Sequence, residues 1–112
     1  MRTWKHMNPS CTYIQWTEKK LQNFDFINQK QIDDMDSLHG KVAIMRYEIL
    51  YRYGGIYIDA DSECINTLDD FFFENTRFTC YENEINGRYC GVPLLAMGYM
   101  GCGGTMIQCL CV

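Results

Sequence analysis

A chain of 112 residues, 47% hydrophobic and 14% aromatic, is long enough to bury one core and short for two. Its formal charge of −4 excludes a nucleic-acid surface, which needs clustered Lys and Arg, so an anionic ligand would have to be met through a cation. Seven cysteines, an odd number with no C-x-x-C pair, argue against a disulfide framework or zinc knuckle and fit reduced thiols in a cytosol-like compartment.

From Met1 to Gln15 the chain carries Arg2, Lys5 and His6 and no apolar core of a signal peptide, so a cytoplasmic location is expected over a secreted one. After the Asn8-Pro9-Ser10 turn, Cys11 to Trp16 reads as a short strand, because Thr12, Tyr13, Ile14 and Trp16 favour extended backbone. A helix from Glu18 to about Phe24 follows, then a polar stretch from Asn28 to Ser37 that reads as a loop or short helix.

From Gly40 to Tyr53 the residues Val42, Met45, Ile49, Leu50 and Tyr53 recur at steps of three and four, the mark of an amphipathic helix. Gly54 stands where a left-handed cap residue belongs, and Gly55 lets the chain reverse. Ile56 to Ile58 then reads as a buried strand. Helix, glycine turn and strand make half of an α/β unit, and such sheets place ligands beyond the carboxyl ends of their strands, where Asp59 and Asp61 fall.

Beyond Arg88 the chain has no charge. Gly91, Pro93, Gly98, Gly101, Gly103 and Gly104 break this run into a strand-like piece, Leu94 to Met100, and an apolar end, Thr105 to Val112, so no membrane span is expected. Cys109 and Cys111 read as buried small apolar residues.

Asp59-Ala60-Asp61 is the chemical centre. Two carboxylates one residue apart beside an apolar strand are costly unless a charge compensates, and a bound Mn²⁺ or Mg²⁺ does so while gripping a diphosphate. A calcium loop competes for the same acids, since Asp59, Asp61, Glu63 and Asp70 match its spacing. Cys64 stands where that loop needs glycine, and a strand precedes it instead of a helix.

The run from Arg46 to Asp61, Arg-Tyr-Glu-Ile-Leu-Tyr-Arg-Tyr-Gly-Gly-Ile-Tyr-Ile-Asp-Ala-Asp, resembles the signature of the sugar-transferase region containing the DXD motif. That family includes initiating α-1,6-mannosyltransferases, other glycosyltransferase family 32 members and, more distantly, the glucosylating bacterial toxins. Trp4-Lys5, Asn8-Pro9, Tyr13-Ile14, Trp16 and Tyr81-Glu82-Asn83-Glu84 extend the likeness over most of the chain.

The resemblance implies an α/β, GT-A-like nucleotide-sugar-binding fold, one domain over residues 1–112 that is incomplete at both ends, and retaining transfer of a sugar from a UDP- or GDP-sugar to a glycan or protein acceptor. It implies Arg46 and Asp59 as catalytic residues, and Arg46, Gly54, Gly55, Tyr57 and Asp59 on the donor. The metal would sit on Asp59 and Asp61. The bland readings stay beside these: Arg46 could cover core with its stem while its charge meets Glu48 or solvent, and Gly54 and Gly55 shape the turn in any case. Tyr47, Tyr51, Tyr53 and Tyr57 are expected to pack, and Trp16 to lie in the core.

Two departures stand out. Ala43, three residues before Arg46, replaces an aspartate that many relatives set against the donor sugar, and the strand and Trp-containing segment that precede the Trp4 region in relatives are expected to be absent from this sequence. A missing strand leaves an unpaired sheet edge, so self-association is expected. Three functions therefore remain: a metal-dependent glycosyltransferase, a remnant that binds nucleotide or a partner only, and a divalent-cation module unrelated to sugars.

Overall fold

A computed structural model describes residues 1–74, 77–81 and 94–111. Of the features read from the sequence, Glu82 to Glu84, Gly91, Pro93 and Val112 lie outside these residues.

The elements in chain order are α1 (Arg2–Met7), β1 (Thr12–Thr17), α2 (Glu18–Gln22), α3 (Gln29–Asp34), α4 (Leu38–Tyr53), β2 (Ile56–Asp59), α5 (Asp70–Glu74), β3 (Phe78–Tyr81), β4 (Leu95–Gly101) and β5 (Met106–Cys111). The strands form one mixed sheet in the order β1-β5-β2-β4-β3. β5 lies parallel to both β1 and β2, while β4 runs antiparallel to β2 and to β3. The chain is thus α/β, as expected.

Period-two alternation sorts the strand side chains into two cores. Tyr57, Trp16, Met100 and Leu110 pack with Leu21, Ile32, Ile49 and Leu50 of α2, α3 and α4. Ile56, Ile58, Ile107 and Cys109 pack with Trp4 of α1 and, at the margin, Phe72 and Phe73 of α5. With both faces covered, Ile56, Tyr57 and Ile58 are all buried.

α4 starts two residues before the apolar periodicity does, because the Ser37 hydroxyl accepts from the Gly40 N–H at 3.0 Å and caps it. At its other end Gly54 donates to the Leu50 carbonyl at 2.8 Å with φ 65° and ψ −157°, so the cap is not the left-handed one expected. The reason is tertiary. Gly55, at φ 86°, donates to the Gly103 carbonyl at 2.6 Å and its own carbonyl accepts from Cys102 at 2.8 Å, and this pulls the turn onto the β4–β5 connection. A Cβ on Gly55 would collide with the Met106 carbonyl.

The polar stretch resolves into α3, whose start is held by Glu48 of α4. The Glu48 carboxylate accepts from the Ile27 N–H at 2.7 Å and from the backbone and side-chain amides of Asn28 at 2.8 Å. α1, α5 and β3 had no sequence signal of their own. Gly98 and Gly101, expected as breaks, sit inside β4. Among the described residues no helix is long and apolar enough to cross a membrane.

Candidate functional site

The carboxyl end of β2 opens into a cleft of about 360 Å³ lined by Leu38, His39 and Val42 of α4, Arg46, Tyr57, Leu110 and the turn Asp59-Ala60-Asp61. The turn is tied down from two sides. The Asp59 carbonyl accepts from the Ser62 N–H at 3.1 Å and from the Ser62 hydroxyl at 2.6 Å, and the Trp4 indole N–H donates to that hydroxyl at 3.0 Å. The tryptophan of the upstream likeness therefore braces the acidic turn from α1.

Arg46 leaves α4 facing the sheet, where it is 8% exposed. Its Nη2 lies 3.2 Å from Asp59 Oδ1, its Nη1 donates to the Met97 carbonyl of β4, and its guanidinium sits 4.2 Å above the Tyr57 ring centre. Nε has no hydrogen-bond partner although it is buried. A guanidinium drawn so far from water is tolerable only with several compensating contacts, and this one retains an unused donor. Its charge does not meet Glu48, which is spent on Ile27 and Asn28.

Tyr57 forms the floor. Burial pushes its hydroxyl up to about 12, with the Arg46 charge working against the rise and the Asp59 carboxylate adding to it. It stays a neutral phenol, and the aromatic face under Arg46 is available for cation–π attraction. Asp59 remains half-exposed to the cleft, and Asp61 is exposed with no ion pair or hydrogen bond among the described residues.

Arg46, Tyr57, Asp59 and Asp61 are thus gathered at one cleft. Gly54 and Gly55 are not. They lie at the amino end of β2, and four residues of extended chain separate Gly55 from Asp59 by roughly 13 Å. Their positive φ angles serve the turn against Gly103. Ala43 does not line the cleft; its neighbour Val42 does.

Tyr47 and Tyr51 also differ from expectation. They are 55% and 80% exposed and border an apolar groove of about 600 Å³ with Phe78, Leu95 and Met100. Trp16 is core: its indole N–H donates to the fully buried Gln108 at 2.9 Å, and Gln108 in turn donates to the Gly54 carbonyl. Cys109 is buried, and desolvation, then its neighbour Cys111, pushes its thiol up to about 12. The calcium-loop acids are not gathered, since no three metal-ligating side chains converge among the described residues.

Sequence reasoning missed Met97, Gly98, Leu38 and His39. Met97 and Gly98 reach the site only through strand pairing. Leu38 and His39 precede the first residue of the apolar stripe and became visible with the Ser37 cap.

Residues 1–79 match the family described as the glycosyltransferase sugar-binding region containing the DXD motif. Among curated proteins the chain is 34% identical over 98 residues to inositol phosphoceramide mannosyltransferase 3 of Schizosaccharomyces pombe, covering 80% of this chain and 28% of that one. It is 33% identical over 92 residues to a mannosyl phosphorylinositol ceramide synthase of Saccharomyces cerevisiae, covering 72% and 24% respectively. The chain therefore spans about a quarter of the length of these relatives. No solved structure matches. With Arg46, Asp59 and Asp61 at one cleft and the matched region covering most of its length, the chain belongs to the family of glycosyltransferase sugar-binding regions that contain the DXD motif.

Proposed function

We propose that this chain is the donor-binding part of a metal-dependent, retaining glycosyltransferase with a GT-A-like sheet, and that Arg46, Asp59 and Asp61 hold a nucleotide-sugar in the cleft. The observation that carries the reading is the charge pattern of the cleft: Arg46 lines it together with Asp59 and the free Asp61 carboxylate. A diphosphate bound with a divalent cation offers acceptors to a guanidinium and a charge partner to the carboxylates.

The residues present suit a hard divalent cation. Asp61 has an unengaged carboxylate and Asp59 has one oxygen beyond its Arg46 contact; one or two carboxylates plus substrate phosphates are the usual donor set for Mg²⁺ or Mn²⁺. Bound there, the ion would supply Lewis-acid stabilisation of the departing nucleoside diphosphate. Arg46 would orient the diphosphate from the α4 side, Tyr57 would hold the guanidinium plane, and Leu38 and Val42 would exclude water from the sugar face.

The relatives are named for mannosyl transfer onto inositol phosphoceramide, which favours mannose as the sugar and that lipid over a glycan or protein as acceptor. Calorimetric titration of GDP-mannose, UDP-glucose and UDP-galactose, with and without Mn²⁺, tests the reading. Binding of one donor that requires Mn²⁺ and weakens at least about tenfold in Asp61→Ala is expected, a loss of about 1.4 kcal/mol. Folded protein that takes up none of the three donors would reject it. Ala43 favours a second reading, binding without turnover, and release of free sugar from the bound donor separates the two.

A further inference from the structure

β4 pairs with β2 in the register Ile58↔Tyr99, and this brings Gly98 beside Asp59. A Cβ placed on Gly98 would stand 2.6 Å from Asp59 Oδ2 and 3.5 Å from its Cγ. A methyl group cannot occupy that position while the carboxylate keeps its own. The backbone does not ask for glycine here, because among the described residues the glycines of positive φ are Gly54, Gly55, Gly103 and Gly104. Glycine inside a strand weakens it and commonly marks the close approach of another group, which at Gly98 is a carboxylate.

The residue before it completes the relationship. Met97 presents its carbonyl to Arg46 Nη1, so two consecutive β4 residues address the two members of the ion pair. Met97 fixes the guanidinium, and Gly98 leaves the space in which the carboxylate can meet it.

We infer that Gly98 is a positioning residue of the cleft: its missing side chain lets the Asp59 carboxylate lie against β4 within reach of Arg46. The inference rests on the reading of this cleft as the donor site, and it deepens that reading by adding a determinant from a strand far along the chain. The carboxylate is the movable end of a side chain, so a methyl at position 98 displaces it without breaking β4. The pair is lost and the fold kept.

The experiment has two readouts on the intact chain. The first is independent of any ligand: the non-additivity of the urea midpoints of Arg46→Met and Asp59→Asn, measured with Gly98 present and again in Gly98→Ala. Coupling in the first background and none in the second is expected; coupling of equal size in both overturns the inference. The second is calorimetry of GDP-mannose with Mn²⁺. Gly98→Ala is expected to weaken binding at least tenfold, with no further loss when Asp59→Asn is added, and unchanged affinity also overturns it. If the unmodified protein binds no donor, the donor reading fails while the coupling still decides the role of Gly98. Should Gly98→Ala not fold, the combination with Asp59→Ala removes both atoms the methyl would meet, and a combination that stays unfolded counts against the inference.

Discussion

Arg46 and Asp59 form an ion pair whose partners are unequally sheltered: the arginine side chain is 10% exposed and the aspartate 41%. Removing Asp59 leaves a buried guanidinium with, among the described residues, the Met97 carbonyl and the Tyr57 ring, whereas the carboxylate can be served by water. Asp59→Ala is therefore expected to destabilise, and adding Arg46→Met to recover roughly 1–2 kcal/mol, below the 3–5 kcal/mol of a fully buried pair because Asp59 is half-solvated. Urea midpoints of the two variants check this; a double variant no more stable than Asp59→Ala removes the argument.

Gln108, fully buried, hydrogen-bonds both the Trp16 indole and the Gly54 carbonyl of the glycine turn. Gln108→Leu keeps the volume and orphans both the indole N–H and the Gly54 carbonyl, each at a cost of roughly 1–3 kcal/mol. Equilibrium unfolding should show a lower midpoint with an unchanged denaturant slope. A stability equal to that of the unmodified chain would mean the two groups find other partners.

Glu48 makes folding sensitive to acid. Burial by itself raises its pKa, but the amides of Asn28, the Ile27 N–H and the Arg52 charge outweigh burial and hold the carboxyl below its ordinary value. The unfolded chain then binds the proton more readily, so the stability Glu48 contributes is complete above its unfolded pKa of about 4.3 and is lost as pH falls through the lower folded one. Thermal melts between about pH 5 and pH 3 should fall more steeply for the unmodified protein than for Glu48→Gln. Parallel slopes would show that other carboxylates dominate.

Among the described residues β1 and β3 are the sheet's two edges. An unpaired edge is a template for a second strand. Sedimentation velocity over a wide range of concentration should show association of the chain with itself. A monodisperse monomer that melts cooperatively at every concentration would contradict this.

Much of this arrangement could be read from local sequence. The stripe Val42, Met45, Ile49 and Leu50 specifies a helix because its period is that of a helix, and Gly54-Gly55 before Ile56-Tyr57-Ile58 specifies a reversal into a buried strand. That order alone carries Asp59 and Asp61 to a strand end beside Arg46, since three residues adjacent in sequence to a helix–turn–strand unit need no distant partner to be brought near one another.

What the tertiary structure decided are the choices among near-equivalent local options. Arg46 meets Asp59 and Met97 on the sheet side, while Glu48, two residues on and turned away from it around the helix, is engaged by Ile27 and Asn28. Gly54 and Gly55 are drawn to Gly103 and away from the cleft, Tyr47 and Tyr51 are left exposed beside the groove along β3 and β4, and Gly98 becomes the seat of a carboxylate. These depend on contacts between segments some 20 to 50 residues apart. Periodicity and turn chemistry are short-range properties of the chain, while strand register is set by which faces bury together, and no single stretch of sequence contains that information.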